Sequence, residues 1–464
     1  MTRRRRLALV VVYAHFLALA ADGLWSYFTP DDMMNLYGYW SKPLSRLLLD
    51  GLPLFSSGYR PAGALFYVPV FHVFGFDPLP FRVVCFLLLA LNLYLNFAFV
   101  HRLTGSSAAA IVSALLFSYH AHFADLYYSS GAVYDLLAFV FFYSCLLLYV
   151  GIRQTERVPT AWQHACLCVL FWLALNSKEI SAMLPVVLLA YECCYKNAVR
   201  AMRKSCLRWA VGPGRCILTF GLLGGAHMLP RLLGGGSMAS NPAYRPELSL
   251  GAYLENLRHY LGLLLYCHEG MTGFAAASIV IAMPLLALLL KNGNLVFSWL
   301  LFVIVSLPVM FIAARGAFVL YLPYLGMTMY AGVVFAAAAR PVFETLRRRT
   351  AVALGTLGAA ALVLYNVHDG GKPQATGWVR PEQAKVREVA DRVSGRYKTL
   401  GKGVRVLLIN SPFPDDDYGP LFILRLYYLD RSLQVKWLKQ KGSLSPEALA
   451  QYDHVFEFPE ARAR

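Results

Sequence analysis

Apolar runs of about twenty residues recur along the chain, separated by short polar, aromatic or basic stretches. That spacing is the length of a helix crossing a bilayer. The runs predict spans at 7–28, 81–102, 107–119, 132–152, 161–175, 180–195, 216–233, 274–290, 295–314, 318–339 and 351–366, eleven in all. The loop from Thr29 to Arg60 is amphipathic and carries Tyr37, Tyr39 and Trp40. Such rings favour the membrane interface, so short helices lying there are expected. Segment 62–76 is apolar but too short to span and reads as interfacial. Leu250 to Cys267 is half apolar and carries Glu255, Arg258 and His259, so it is also placed at the interface.

From about Gly370 the period changes. Pro381 to Tyr397 has a helical repeat with many charges, and Val404 to Asn410 (VRVLLIN) is a buried-strand pattern. Gly419 to Leu429 reads as helix, Leu433 to Leu438 as strand, and Ser445 to Tyr452 as helix opened by Ser-Pro. The expected fold is an all-α polytopic membrane protein with a small C-terminal α/β unit. The division falls at 1–368 for the transmembrane domain and 369–464 for the α/β domain.

Composition agrees: the 464 residues are 58% hydrophobic. The net charge of +17 invites a nucleic-acid partner, but its placement argues against one. With Arg3 to Arg6 holding the first end in the cytoplasm, the cytoplasmic segments carry 18 Lys/Arg against 3 Asp/Glu. That is the positive-inside bias of a membrane protein, and no nucleic acid is needed to explain it. The bacterial inner (plasma) membrane is the expected location, with the α/β domain outside. The nine cysteines lack zinc spacing, with Cys166-x-Cys168 and Cys193-Cys194 the nearest pairs, and read as small apolar core residues.

Polar groups then converge on the external face. Asp31 and Asp32 follow the first span, and adjacent carboxylates at a bilayer edge are costly without a use. Tyr119-His120-Ala121-His122 leads to Asp125 after the third span. Asn176-Ser177-Lys178-Glu179 forms the turn between the fifth and sixth spans, and Arg231, Arg245, Arg258 and His259 surround the external end of the seventh. Acids on one side and cations on the other suit transfer from a phosphate leaving group: a carboxylate base for the acceptor, positive charge for the departing phosphate. Each group also has a structural reading. The acids would cap a helix, the histidines would be interfacial, Lys178 and Glu179 would pair, and Arg258 would reach headgroups. Asp415-Asp416-Asp417 reads as an acidic turn on a solvated loop.

Several blocks, in order, carry a resemblance: Asp31-Asp32; Tyr59-Arg60-Pro61; Arg102-Leu103-Thr104-Gly105; Phe117 to Asp125 (FSYHAHFAD); Asp135; Ser177-Lys178-Glu179 with Pro185 and Tyr191-Glu192; Asn241-Pro242-Ala243; Tyr260; and Val319-Leu320-Tyr321-Leu322-Pro323. Over roughly the first 330 residues the chain resembles the GT-C superfamily of polyprenyl-phosphate-sugar-dependent glycosyltransferases. It is most similar to the tetratricopeptide-carrying O-mannosyltransferases and their bacterial relatives. It departs from them at Ala121, where the family has proline, at Asp125, where it has glutamate, in lacking a basic residue before Asp135, and in showing no 34-residue repeat.

The resemblance implies a membrane glycosyltransferase moving a sugar from a polyprenyl-phosphate donor, in contact with membrane lipid, to a hydroxyl of a protein, glycan or lipid acceptor. It implies Asp31 as general base, with Asp32 orienting it. Asp125, His120 and His122 would shape the site, with Asp125 and His122 able to hold a divalent cation such as Mg or Mn; no other cofactor is expected. Arg60, Lys178, Glu179, Arg258 and His259 would bind substrate, with Lys178 and Arg258 on the phosphate. The competing classes are a lipid or solute transporter, or flippase, and a degenerate scaffold. A transporter predicts paired repeats or broken helices at mid-membrane, and no similarity between halves is visible.

Overall fold

A computed structural model describes residues 3–52, 60–233, 244–345, 358, 377–439 and 445–459. The first membrane helix is α1 (Arg3–Ala20), followed by α2 (Pro30–Trp40), α3 (Leu44–Asp50) and α4 (Ala64–Phe74) in the first loop. Then come α5 (Pro78–Thr104), α6 (Ser107–Ser118), α7 (Ala124–Tyr128), α8 (Val133–Arg153), α9 (Ala161–Ser177) and α10 (Leu184–Tyr195). Two short basic helices follow, α11 (Ala198–Lys204) and α12 (Cys206–Val211), and then α13 (Arg215–Leu233). The described membrane helices continue with α14 (Leu250–Leu264), α15 (Gly273–Leu289), α16 (Gly293–Ser306) and α17 (Tyr321–Thr345).

The helix ends follow local chemistry. Asp77 caps α5 by accepting from Leu79 N, Pro78 sits at its first position, and Gly105 ends it at φ +66°. Thr160 and Gln163 form a capping box at the start of α9.

Ten of the predicted spans fall on helices, and the first-loop and 250–267 segments are helical as expected. By length and composition, 6–25, 78–104, 133–153, 293–311 and 317–339 are long and apolar enough to cross a membrane alone. The predicted third span is different. Its helix stops at Ser118, and the chain bends by 62° before resuming at Ala121–Tyr128. The span at 351–366 apart from residue 358, the basic cluster at 347–349, Tyr59 and Asn241 to Ala243 lie outside the described residues.

Lipid tails are as apolar as leucine, so close approach and interhelical hydrogen bonds hold such helices together. Two close interhelical contacts follow that rule. A Cβ on Gly332 of α17 would lie 2.4 Å from the Ala109 carbonyl of α6, and one on Gly326 would lie 2.7 Å from Phe302 N of α16. Ser113 Oγ donates to Asn96 Oδ1 at 3.1 Å and lies 3.0 Å from the Thr328 hydroxyl, joining α6, α5 and α17.

The C-terminal unit contains α18 (Val379–Ser394), α19 (Gly419–Tyr427) and three parallel strands: β1 (Arg405–Ile409), β2 (Gln434–Leu438) and β3 (His454–Glu457). The order is β2-β1-β3, with Arg405 opposite Gln434 and Val406 opposite His454. The central β1 is the apolar run read from sequence. The edge strand β3 was not expected, because four residues (HVFE) without a buried run give little periodicity. The expected helix at 445–452 shrinks to Pro446–Leu449. This unit sits on the first loop. Tyr37 of α2 stacks on Phe422 at 4.7 Å and accepts from Arg425 at 2.7 Å, and Arg431 donates to the Trp40 carbonyl. The C-terminal unit and Asp31 therefore share one face of the membrane domain, a relation the count of spans alone left dependent on every helix.

Gly332→Ala should force α6 and α17 apart and destabilise by about 1–3 kcal/mol. Thermal unfolding in detergent should show a clear fall in Tm. Gly221→Ala, at a position with nothing within 4 Å, should leave it unchanged.

Candidate active site

The first turn of α2 divides the two acids. Thr29 is its N-cap and Pro30 its first residue. Asp32 closes a capping box: it accepts from Thr29 N at 2.8 Å, and its own N donates to Thr29 Oγ1 at 3.3 Å. Its other oxygen accepts from Ser129 Oγ at 3.3 Å. Asp32 is buried and fully engaged in fixing the turn. Burial pushes its carboxyl up to about 6, against the Thr29 bond and Arg82. Asp31, one residue earlier, points into a cavity of about 470 Å³. Its carboxylate makes no hydrogen bond or ion pair among the described residues.

The 62° break supplies the opposite wall. It turns Asp125 and Ser129 into the same cavity. Asp135, at the start of α8, lines it too. Lys178 caps the end of α9, is buried, and forms an ion pair with Asp135. Burial pulls its ammonium below the ordinary value, and Asp135 opposes that. Glu179 meets two guanidiniums: Arg60 Nη2 at 3.1 Å and Arg231 Nη1 at 3.0 Å. Burial alone would raise its carboxyl. The two arginines more than reverse this and hold it at about 2. Arg60 adopts φ +45°, and its carbonyl accepts from Tyr39 Oη at 2.7 Å, so its backbone is fixed as well.

Acids and cations are thus interleaved in pairs rather than segregated on two sides, and Lys178 and Glu179 pair with other partners rather than with each other. Arg315 is a further cation in the cavity. Its Nη1 donates to Tyr244 Oη at 3.1 Å, and its guanidinium lies 4.1 Å over that ring. No carboxylate pairs with it among the described residues. Trp378 lines the cavity from the C-terminal unit and was missed entirely. Only the docking seam, with Gln383 Nε2 donating to the Tyr128 carbonyl at 2.7 Å, reveals it. Asp31's carboxyl is raised by burial first, then by Glu382 and Asp417 of that unit, with Arg315 opposing.

Of the expected site residues, Asp31, Arg60, Asp125, Lys178 and Glu179 line the cavity. His120, His122, Arg258 and His259 do not. His120 is buried, stacks on Tyr266 at 4.5 Å and bonds the Leu264 carbonyl at 3.1 Å, so it fastens the end of α14 to the break. His122 lies against the same Tyr266 ring. His259 Nε2 lies 3.3 Å from the Arg315 carbonyl and holds that segment rather than the cavity. Arg258 turns away to Glu255, three residues back on α14, at 2.5 Å. Among the described residues no three His, Cys, Asp or Glu side chains gather where a metal would fit, and Asp125 and His122 have no third ligand with them.

No family model matches the sequence, and no curated protein matches it. Among solved structures the chain resembles ArnT from Cupriavidus metallidurans, whose structure has undecaprenyl phosphate bound. The TM-score is 0.50 at 14% identity, over 92% of this chain and 85% of that one. The chain is an integral membrane protein with a GT-C-like fold. At that identity the likeness is one of fold, and the chemistry has to be argued from the cavity.

Glu179→Gln would leave two buried guanidiniums facing a neutral amide. Removing one partner of a buried ion pair costs about 3–5 kcal/mol, so Tm at neutral pH should drop sharply. Glu179's carboxyl titrates below its ordinary value of 4.5, so its contribution is complete above that value and is lost as pH falls toward about 2. The wild-type Tm should decline across that window, and the variant's should decline less.

Proposed function

We propose that this chain is a membrane glycosyltransferase. It takes a sugar from a polyprenyl-phosphate donor and passes it to a hydroxyl of a protein, glycan or lipid acceptor at the external face. The observation that carries this reading is one cavity holding Asp31 and Arg315, which among the described residues have, respectively, no ion-pair partner and no carboxylate partner. The fold likeness to a protein solved with undecaprenyl phosphate supports it, as does the order of sequence blocks.

Asp31 takes the proton of the acceptor hydroxyl. The hydroxyl oxygen attacks the anomeric carbon with inversion, and the bond from that carbon to the phosphate oxygen breaks with its electron pair leaving on the phosphate. Negative charge therefore grows on the leaving group. A cation that meets it there lowers the barrier more than it stabilises bound donor. Arg315 is the group best placed for this, with Lys178 beside Asp135 behind it. Asp32 acts through the capping box, aiming the turn that presents Asp31. Burial and the facing acids Glu382 and Asp417 make Asp31 a stronger base than an exposed aspartate. The N-terminus and the basic loops lie in the cytoplasm of a bacterial inner membrane, and the C-terminal domain (369–464) lies outside.

Mass spectrometry of glycans and glycopeptides from cells with and without the protein tests the reaction class; identical profiles would refute it. Asp31→Asn should reduce transfer by ~10²-fold or more with the protein still folded. In wild type the acid limb of kcat/KM should lie above the range of an ordinary aspartate. Glu382→Gln removes a like charge, favours ionised Asp31, and should move that limb to lower pH.

Arg315→Ala should lower kcat at saturating donor by ~10²–10³-fold, as loss of a transition-state donor does. Arg315→Lys should restore only part, because an ammonium cannot reproduce the guanidinium fork. A wild-type kcat in the alanine variant would return the phosphate contact to Lys178.

A further inference from the structure

A second cavity, of about 600 Å³, lies at the other end of the bundle. Helices α5 and α8 both begin beside the candidate active site and run away from it. The groove forms where they finish, closed by the 154–160 loop. Arg102 and Arg157 line it, and no carboxylate does. The nearest acid, Glu156, is taken by Lys196 at 2.5 Å.

Arg102 is held in place. Its Nε donates to Gln154 Oε1 at 2.7 Å and its Nη2 to the Gly151 carbonyl at 3.3 Å, while Gln154 Nε2 returns a bond to the Arg102 carbonyl at 3.0 Å. A Cβ on Gly151 would come within 3.1 Å of Nη2, so the glycine makes room for the guanidinium to lie across α8. Two of its five donors are used in these bonds. The Arg157 side chain makes no hydrogen bond or ion pair among the described residues and is exposed.

Ser144, Thr155, Thr160 and Gln163 add polar groups to the lining, and the remaining wall is apolar. Leu147 and Leu148 of α8 face Leu95 of α5. Leu91 and Leu87 continue the Leu95 stripe at four-residue steps toward the middle of the membrane helix, and both are exposed. A cationic mouth at the end of the spans therefore opens onto an apolar track along the helix. An inorganic anion would use only the mouth, and a neutral lipid would leave both arginines without a counter-charge.

We infer that this groove is a binding site for an anionic phospholipid, its phosphate held by Arg102 and Arg157 and an acyl chain lying along the exposed Leu91 and Leu87. Basic pockets between membrane helices on the face that carries the basic loops suit such lipids. The site is separate from the candidate active site and does not depend on the transferase reading. It also accounts for Arg102-Leu103-Thr104-Gly105, a block far from the catalytic cavity.

The test is native mass spectrometry of the full-length protein in detergent, titrated with phosphatidylglycerol or phosphatidylcholine. Wild type should retain phosphatidylglycerol in preference. Each basic residue near a membrane surface contributes ~1 kcal/mol toward anionic lipid, which is about fivefold. Arg157→Gln should therefore lose about fivefold in retention, and Arg102→Gln with Arg157→Gln more than tenfold. Lys291→Gln, an exposed basic residue outside the groove, should change nothing. Arg102 also clamps Gln154, so Arg157→Gln carries the test if the double variant folds poorly. The inference is overturned if Arg157→Gln retains phosphatidylglycerol as wild type does, if phosphatidylcholine is held equally, or if inorganic phosphate at the lipid's concentration displaces it.

Discussion

Glu179 between Arg60 and Arg231 is the contact on which the cavity depends. Arg60 belongs to the first loop, Glu179 to the turn between α9 and α10, and Arg231 to the end of α13. These segments are distant in the sequence and carry buried charge, so none is stable in place without the others. A buried charge left alone costs several kcal/mol, whereas a satisfied trio fixes its members to one geometry. Lys178, the next residue, repeats the logic with Asp135 of α8. Two adjacent residues thereby tie four elements around a single cavity. Among the described residues, Asp31, Asp125 and Arg315 line the cavity outside these ion pairs.

The membrane sets the second constraint. Backbone groups in lipid must be satisfied within helices, and irregular chain is tolerated only against protein or water. The 62° break at Tyr119–His120 obeys this. Its loose donors are met by side chains, with His120 N donating to Tyr127 Oη at 3.0 Å and Ala121 N to Tyr266 Oη at 2.8 Å. The residue types that looked like ligands, His120 and His122, are the packing of that break. Its consequence is chemical: a straight third span would have carried Asp125 away from the cavity.

The C-terminal unit contributes more than bulk. Its helix α19 packs on α2, the helix whose first turn presents Asp31, and its Trp378 forms part of the cavity wall. The acidic turn at Asp415 to Asp417 is used locally, with Asp415 accepting from Lys439 N and Asp417 from Gly419 N, both at 2.7 Å. Only its long-range field reaches Asp31.

The sequence by itself determined the membrane character, the positions of ten described helices and the central strand of the C-terminal unit, and it singled out Asp31, Asp125, Lys178 and Glu179, which line one cavity. Those follow from hydrophobic period and from charges at helix ends, which are local properties. It also suggested Arg258 and His259 for the site, because residues near one helix end look equivalent until the helix is rotated. Tertiary structure decided that rotation, turning Arg258 to Glu255 and bringing in Arg315 and Trp378 from segments more than fifty residues away. It also split Asp31 from Asp32: one carboxylate closes the turn and the other is left open. The capping box with Thr29 engages Asp32, and the packing of α2 against Ser129 and Gly131 adds a second difference between the two sides.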